Sequence, residues 1–315
     1  MPGRVLSRCW ASFLSPTYAL LVLLCWASFV STAYPQAAQG APLEVVTSFS
    51  ILGDLIRQVG GERVRVTSLV GPGEDAHGYQ PRPSDARRVK NAGLVVANGL
   101  GFDPWLERLV RSAGYRGELI IASQGIQPLE TPGGGQADSH AELDPHAWQD
   151  VAQTRRYVAT LTAALSAADP AGAAGYRSAA ARYDASLAAL DREIRQAISS
   201  LPSERRLVVT SHEAFGYFAR AYGLRVLAPV GLSSNAEPTA GGVAALIRQI
   251  RQVRAPAVFL ENISDPRLLE RIQRESGARI GGTLYSDALA PAPPADTYVE
   301  MMRENLRVLM AALGS

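Results

Sequence analysis

Short apolar runs alternate with amphipathic stretches in the first part of the chain, from residue 42 onward. The apolar runs predict β-strands at Glu44–Phe49, Arg63–Val70, Leu94–Ala97 and Glu118–Ala122. Between them, apolar residues at helical spacing predict helices near Ile51–Val59, Ser84–Asn91 and Pro104–Ser112. Because strands that alternate with helices usually form a parallel sheet, this part of the chain predicts an α/β unit.

The same alternation returns in the last third of the chain. The predicted strands are Arg206–Thr210, Arg225–Pro229, Ala257–Glu261 and Arg279–Leu284. The predicted helices are Glu213–Tyr222, Gly241–Val253, Pro266–Ser276 and Thr297–Leu313. A second, mostly parallel sheet flanked by helices is therefore expected.

The middle of the chain has a different pattern. Two alanine-rich stretches, Val151–Ala168 and Ala173–Ser200, carry apolar residues at helical spacing with no strand between them. The simplest fold is α/β, with two lobes joined by one long helix and a cleft between them. The expected domains are an N-terminal lobe at 42–170, a linker helix at 171–202 and a C-terminal lobe at 203–315.

The first residues have the pattern of a secretory signal peptide, expected to span about residues 1–33. Arg4 and Arg8 precede the apolar stretch Tyr18–Val30, and the small residues 31–33 follow at the usual cleavage spacing. The stretch is shorter than the roughly 20 apolar residues that span a bilayer. We therefore expect an exported, soluble protein in the periplasm.

Cysteine usage limits the chemistry of the mature chain. The two cysteines, Cys9 and Cys25, both lie in the predicted signal segment. The mature chain would then have no thiol, so a metal site must use nitrogen and oxygen ligands. Lipid attachment at Cys25 is not expected, because Leu24 stands where a small residue is required and the apolar stretch continues beyond it.

Charge excludes one class of partner. The chain has 31 basic and 29 acidic residues, a net charge of +2. Removal of Arg4 and Arg8 would leave the mature chain close to neutral. This balance argues against a strongly basic nucleic-acid-binding protein.

The four histidines, His77, His140, His146 and His212, are the main candidates for chemistry. His77 lies in a loop after a predicted strand, and His212 ends another predicted strand. Asp287 follows the last predicted strand. Ligand sites in open α/β sheets form beyond the carboxyl ends of strands, so His77, His146, His212 and Asp287 can converge in one cleft. At each position a structural or solvated histidine is the alternative.

Three neutral imidazoles and one carboxylate can complete a tetrahedral zinc shell. Asp144 is expected to cap the helix after His146, with Pro145 in its first position. His146 and His212 would then lie at helix N-termini, where the helix dipole disfavours the protonated imidazole.

Several motifs, in order along the chain, resemble the zinc/manganese-type (cluster A-I) solute-binding proteins of bacterial metal ABC transporters. The resemblance runs from about residue 42 to the end of the chain. Its main stretches are VVTSFSILGDLIRQVGG (45–61), SLVGPGEDAHGYQPRPSD (68–85), NGLGFDPWLERL (98–109), LDPHAWQD (143–150), TSHEAFGYFARAYGL (210–224), AEPTAGGVAALIRQIR (236–251) and VFLENISDPRL (258–268).

The resemblance implies two pseudo-symmetric lobes with a single metal between them. It implies His77 and His146 as ligands from the first lobe, and His212 and Asp287 from the second. The implied function is capture of Zn²⁺ outside the cytoplasmic membrane and its delivery to an ABC permease with its ATPase. A monomer is expected.

The sequence favours Zn²⁺ as the metal, and Mn²⁺ or Fe²⁺ uptake is the alternative. Manganese-type members often have glutamate where this chain has His212, so a set of three nitrogens and one oxygen favours zinc. The long histidine-rich loop of many zinc members is absent, and its segment contains only His140. Glu237 and Glu261 are candidates to support the ligands without binding the metal.

An enzyme is the main competing class, and the motifs argue against it. His212-Glu213 begins like a zinc-protease HExxH motif, but Gly216 occupies the position of the second histidine. The chain contains neither a GxSxG nucleophile elbow nor a Walker A motif. A surface adhesion or interaction protein is the second alternative, although no sequence feature specifies its partner.

Overall fold

Two four-stranded parallel sheets organise the protein. The computed structural model describes residues 41–131, 142–234, 239–253 and 255–314. The predicted signal peptide lies outside the described residues. Within the described ranges, no helix combines the length and apolar character that crossing a membrane requires.

The first sheet lies in the N-terminal part of the chain and has the order β2-β1-β3-β4, with every pair parallel. Its strands are β1 (Leu43–Thr47), β2 (Val64–Ser68), β3 (Leu94–Ala97) and β4 (Leu119–Ile121). The helices that connect them are α1 (Ser50–Gly60), α2 (Pro83–Asn91) and α3 (Pro104–Ala113). All four residues of β3 are buried, as expected for an inner parallel strand that is covered on both faces.

The middle of the chain contains a small antiparallel pair and two helices. Strands β5 (Leu129–Thr131) and β6 (Glu142–Asp144) pair with each other. Helices α4 (Val151–Ala168) and α5 (Ala173–Ser199) follow, and α5 is the long helix that the sequence predicts. The β5–β6 pair was not predicted, because each strand is three residues long and carries polar residues instead of an apolar run.

The second sheet has the order β10-β9-β7-β8 and is also parallel. Its strands are β7 (Leu207–Val209), β8 (Arg225–Leu227), β9 (Ala257–Glu261) and β10 (Arg279–Leu284). Its helices are α6 (Gly216–Tyr222), α7 (Ala240–Val253), α8 (Arg267–Ser276) and α9 (Tyr298–Leu313). The predicted α/β fold with two parallel sheets flanked by helices is therefore confirmed.

The largest hydrophobic core runs through both halves of the chain. Leu187, Leu190 and Ile194 of α5 are fully buried in it, together with residues of both sheets and of α9. A smaller core lies between the second sheet and helices α7 and α8. Because Ala41–Ser315 forms one compact unit, the lobe boundaries at 170 and 203 stay predictions.

The parallel strands place several chain segments at the same edge of each sheet. His77 lies in the segment after β2, His212 follows β7, and Asp287 follows β10. His146 follows β6, the strand that was not predicted. These four segments supply the candidate site.

Candidate metal centre

Four side chains meet at the junction of the two halves. One potential ligand atom each from His77, His146, His212 and Asp287 lies within 4.8 Å of the others. His146 and Asp287 are 0% exposed and His212 is 1% exposed, whereas His77 is partly exposed. The cluster therefore combines three imidazoles and one carboxylate in a site that is almost closed to solvent.

The Nε2 atoms of the three imidazoles face one another and the carboxylate. The distance from His77 Nε2 to His146 Nε2 is 3.3 Å. Asp287 Oδ2 lies 3.2 Å from His77 Nε2 and 3.2 Å from His212 Nε2. The separation between His146 Nε2 and Asp287 Oδ1 is 3.6 Å. These separations match the edges of a small coordination shell with nitrogen and oxygen ligands at about 2.0–2.2 Å from its centre.

The loop that carries His77 is held by the first half of the chain. The His77 backbone N–H donates to Asp75 Oδ1 at 2.9 Å. Trp105 Nε1 donates to the carbonyl of Ala76 at 2.8 Å, so α3 fixes the residue before the histidine. The His77 ring packs against Phe102 with ring centroids 4.6 Å apart. The position of the imidazole is thus set by the backbone and an aromatic neighbour.

Asp144 orients His146. One carboxylate oxygen of Asp144 accepts both the His146 backbone N–H at 2.9 Å and the ring Nδ1–H at 2.8 Å. Asp144 is fully buried. A carboxylate on Nδ1 fixes the tautomer and leaves the Nε2 lone pair free for a metal. Sequence reasoning missed this role, although an aspartate that accepts the N–H two residues onward is a recognisable signal.

The helix-cap prediction for Asp144 is wrong. His146 precedes a short 3-10 turn, Ala147–Gln149, and α4 begins only at Val151. Asp150 caps α4 by accepting a backbone N–H from its first turn. Asp144 is therefore free to bind the imidazole, and Pro145 does not occupy the first helical position.

Glu261 contacts His212 from the end of β9. Its Oε2 lies 2.7 Å from His212 Nδ1. Its Oε1 accepts the backbone N–H groups of Ser211 at 2.7 Å and His212 at 3.1 Å. Sequence reasoning named Glu261 as a supporting residue, and the structure places it on the ring nitrogen that faces away from the cluster.

The expected position of His212 at a helix N-terminus is wrong. His212 forms an isolated parallel bridge with Val230, and α6 begins at Gly216 instead of Glu213. Residues between the bridge and the helix form turns, in which the Ala214 N–H donates to the His212 carbonyl at 2.9 Å. The imidazole of His212 is thus positioned by the bridge to Val230 and by Glu261, without a helix dipole.

The segment before Asp287 is tied to the segment after His146. Trp148 Nε1 and Gln149 Nε2 both donate to the carbonyl of Ser286, at 2.8 and 2.6 Å. Both oxygens of Asp287 are buried and accept no hydrogen bond of normal geometry from the described part of the chain. A buried carboxylate in this state needs a cation as its partner. The donor set therefore fits a divalent metal.

The electrostatics of the cluster point the same way. Burial by itself would lower the pKa of His212, but the carboxylates of Glu261 and Asp287 raise it well above the ordinary value. Burial would raise the pKa of Asp287, but the imidazoles of His212 and His146 hold it well below the ordinary value. Positive charge is thus favoured between the imidazoles and Asp287, and a bound metal would replace the proton on His212.

Two residues from the sequence analysis cannot be placed. Glu237 and His140 both lie outside the described residues. A supporting role for Glu237 and a solvated position for His140 stay predictions.

Comparisons with known proteins show similarity along most of the chain. Residues 45–312 match the family described as "ZnuA: Zinc-uptake complex component A periplasmic". The manganese-binding lipoprotein MntA of Halalkalibacterium halodurans is 35% identical over 278 residues, which cover 87% of this chain and 90% of MntA. The iron-binding protein YfeA of Yersinia pestis is 30% identical over 275 residues, covering 86% of each chain.

The fold also matches a solved structure, the periplasmic zinc binding protein TroA from Treponema pallidum. The TM-score is 0.80 at 31% sequence identity, covering 87% of this chain and 99% of TroA. Members of the family are substrate-binding proteins of transporters and not enzymes, and they act with ABC permease components. The chain therefore belongs to the ZnuA family of metal-binding proteins of ABC transporters.

Proposed function

We propose that this protein captures Zn²⁺ outside the cytoplasmic membrane and delivers it to an ABC permease with its ATPase. The proposed ligands are His77, His146, His212 and Asp287. The observation that carries the proposal is the convergence of three Nε2 atoms and a buried carboxylate within 4.8 Å. The metal is the transported cargo. Ligands that come from both halves of the chain suit its capture and release.

The choice of zinc rests on the chemistry of the donor set. Three imidazole nitrogens and one carboxylate suit zinc, whereas manganese prefers more oxygen ligands. MntA is named for manganese, YfeA for iron and TroA for zinc. Mn²⁺ or Fe²⁺ uptake is therefore the second candidate, and it is favoured by the names of the first two relatives.

Competition calorimetry separates these two candidates. Metal-stripped mature protein is titrated with Zn²⁺ and with Mn²⁺, and then with each ion in the presence of the other. We expect tight one-to-one zinc binding that excess manganese does not displace. Weak zinc binding beside strong manganese binding would overturn the choice of zinc and leave the metal-uptake assignment intact.

The periplasmic location and the lobe arrangement form part of the proposal. MntA is named a lipoprotein, whereas Leu24 before Cys25 favours cleavage near residue 33 and a soluble monomer here. The lobes are proposed at 42–170 and 203–315, joined by the helix at 171–202. The intact mass of the protein purified from its native cells tests cleavage, since a lipid on Cys25 would retain residues 25–33 and add acyl mass.

Replacing either carboxylate behind the imidazoles should weaken zinc binding. Asp144→Asn and Glu261→Gln each remove the negative charge that orients His146 or His212, and we expect affinity to fall about 10–100-fold. Asp150→Asn is the matched control, because asparagine also caps helices and the Asp150 carboxylate accepts hydrogen bonds from Ala152 and Gln153. Wild-type affinity in both variants, measured by chelator competition, would contradict this supporting role.

A further inference from the structure

A surface depression of about 450 Å³ lies beside His77, the candidate ligand nearest to solvent. The other three candidate ligands are at most 1% exposed, whereas 5% of the His77 side chain is exposed. His77 is therefore the candidate ligand that is most open to solvent. Besides His77, the depression is lined by four apolar side chains, by Gly101 and by the polar residues Glu142 and Ser233; the apolar ones are Leu100, Leu143, Pro145 and Leu232.

Leu100 has an unusual backbone. Its φ is 54°, and it is the one non-glycine among the described residues with a positive φ. It lies between Gly99 and Gly101, whose φ angles are 85° and 83°. The left-handed region is strained for a residue with a Cβ atom, and glycine would adopt it without that strain.

The surrounding turn enforces this conformation. Asp103 is buried, and its carboxylate accepts the backbone N–H groups of Asn98 at 2.7 Å and Gly99 at 3.1 Å. The Phe102 N–H donates to the Gly99 carbonyl at 3.1 Å. A strained residue that the surrounding hydrogen bonds hold in place beside a candidate metal ligand indicates a function for its side chain.

The second half of the chain reaches the same depression. Leu232 follows β8 and is 7% exposed. Close to it, Ser234 Oγ donates to Asp75 Oδ2 at 2.6 Å, which joins the segment after β8 to the loop of His77. Apolar side chains from both halves thus line the depression where the two halves touch.

We propose that the side chains of Leu100 and Leu232 cover the exposed side of His77 and slow metal release. The inference rests on the proposed function and adds a kinetic control to it. Ligand exchange at the metal needs water or an incoming ligand to enter the shell, and an apolar cover excludes both. The strained backbone holds the leucine side chain in the position that provides this cover.

The test measures zinc transfer to a chelator by stopped-flow for Leu100→Gly and Leu100→Ala. We expect release about tenfold faster in both, equivalent to a barrier about 1.4 kcal/mol lower. Leu100→Gly should still fold, because glycine adopts the left-handed conformation without strain, which offsets the loss of the packing of Leu100 against the core. Leu100→Met should release zinc at nearly the wild-type rate, and Leu232→Ala should accelerate release.

Leu143→Ala is the matched control, since Leu143 lines the same depression but is 42% exposed. Its release rate should stay at the wild-type value. One-to-one zinc binding with an unchanged release rate in Leu100→Gly and Leu100→Ala would contradict the proposed role of Leu100. The metal-binding proposal would not be affected. Absence of zinc binding in the wild-type protein would instead defeat the proposed function itself.

Discussion

His146→Ala is expected to abolish tight zinc binding. Structural zinc sites bind with about 10–16 kcal/mol, so one of four ligands contributes roughly 3 kcal/mol, or a hundredfold or more in affinity. The loss at His146 should be at the upper end, because the side chain is fully buried and its removal leaves the buried Asp144 carboxylate with a backbone N–H but without the imidazole. Calorimetry on the metal-stripped variant measures the change.

Two further variants make this result interpretable. His77→Ala removes a partly exposed ligand, so it should fold normally by circular dichroism and still lose at least a hundredfold in affinity. His140→Ala is the matched control, because it removes the one histidine that is not a proposed ligand. Wild-type zinc affinity in the His146 and His77 variants would refute the ligand set.

Zinc is expected to raise the melting temperature of the metal-stripped protein by about 10 °C. A ligand at about a thousand times its dissociation constant stabilises the native state by about 4 kcal/mol. For a domain of this size, each kcal/mol shifts the melting temperature by about 2–4 °C. The effect should be large because His146 comes from the first half of the chain and His212 from the second, so the ion joins both.

Calorimetric scans with and without metal measure the shift. His212→Ala should lose most of the gain, because the second sheet then contributes no imidazole to the ion. Mg²⁺ at the same concentration is the control, since it prefers oxygen ligands and keeps its waters. A melting temperature that zinc leaves unchanged would contradict a site shared between the halves.

The two sheets could be predicted because inner strands such as β3 and β9 are continuous apolar runs. Leu94–Ala97 and Ala257–Glu261 have the same bounds in the structure as in the prediction. Such runs bury both faces in a parallel sheet, so local pattern and tertiary environment agree. The convergence of His77, His212 and Asp287 followed from the same logic, since each comes after a strand.

The remaining features depend on contacts that local pattern does not encode. Strands β5 and β6 are short and polar, and their pairing joins segments separated along the chain. The beginning of α6 at Gly216 follows from the bridge between His212 and Val230, a contact outside the local sequence. Aspartate is a common helix-capping residue, so the sequence suggested that role for Asp144. Only the observed turn shows that Asp144 binds the His146 imidazole instead.

The most direct measurement is a crystal structure of the zinc-loaded protein with anomalous data collected at the zinc edge. We expect one strong anomalous peak, about 2.0–2.2 Å from Nε2 of His77, His146 and His212 and from a carboxylate oxygen of Asp287. A peak bound elsewhere, or one that leaves two or more of these residues outside bonding distance, would contradict the central claim.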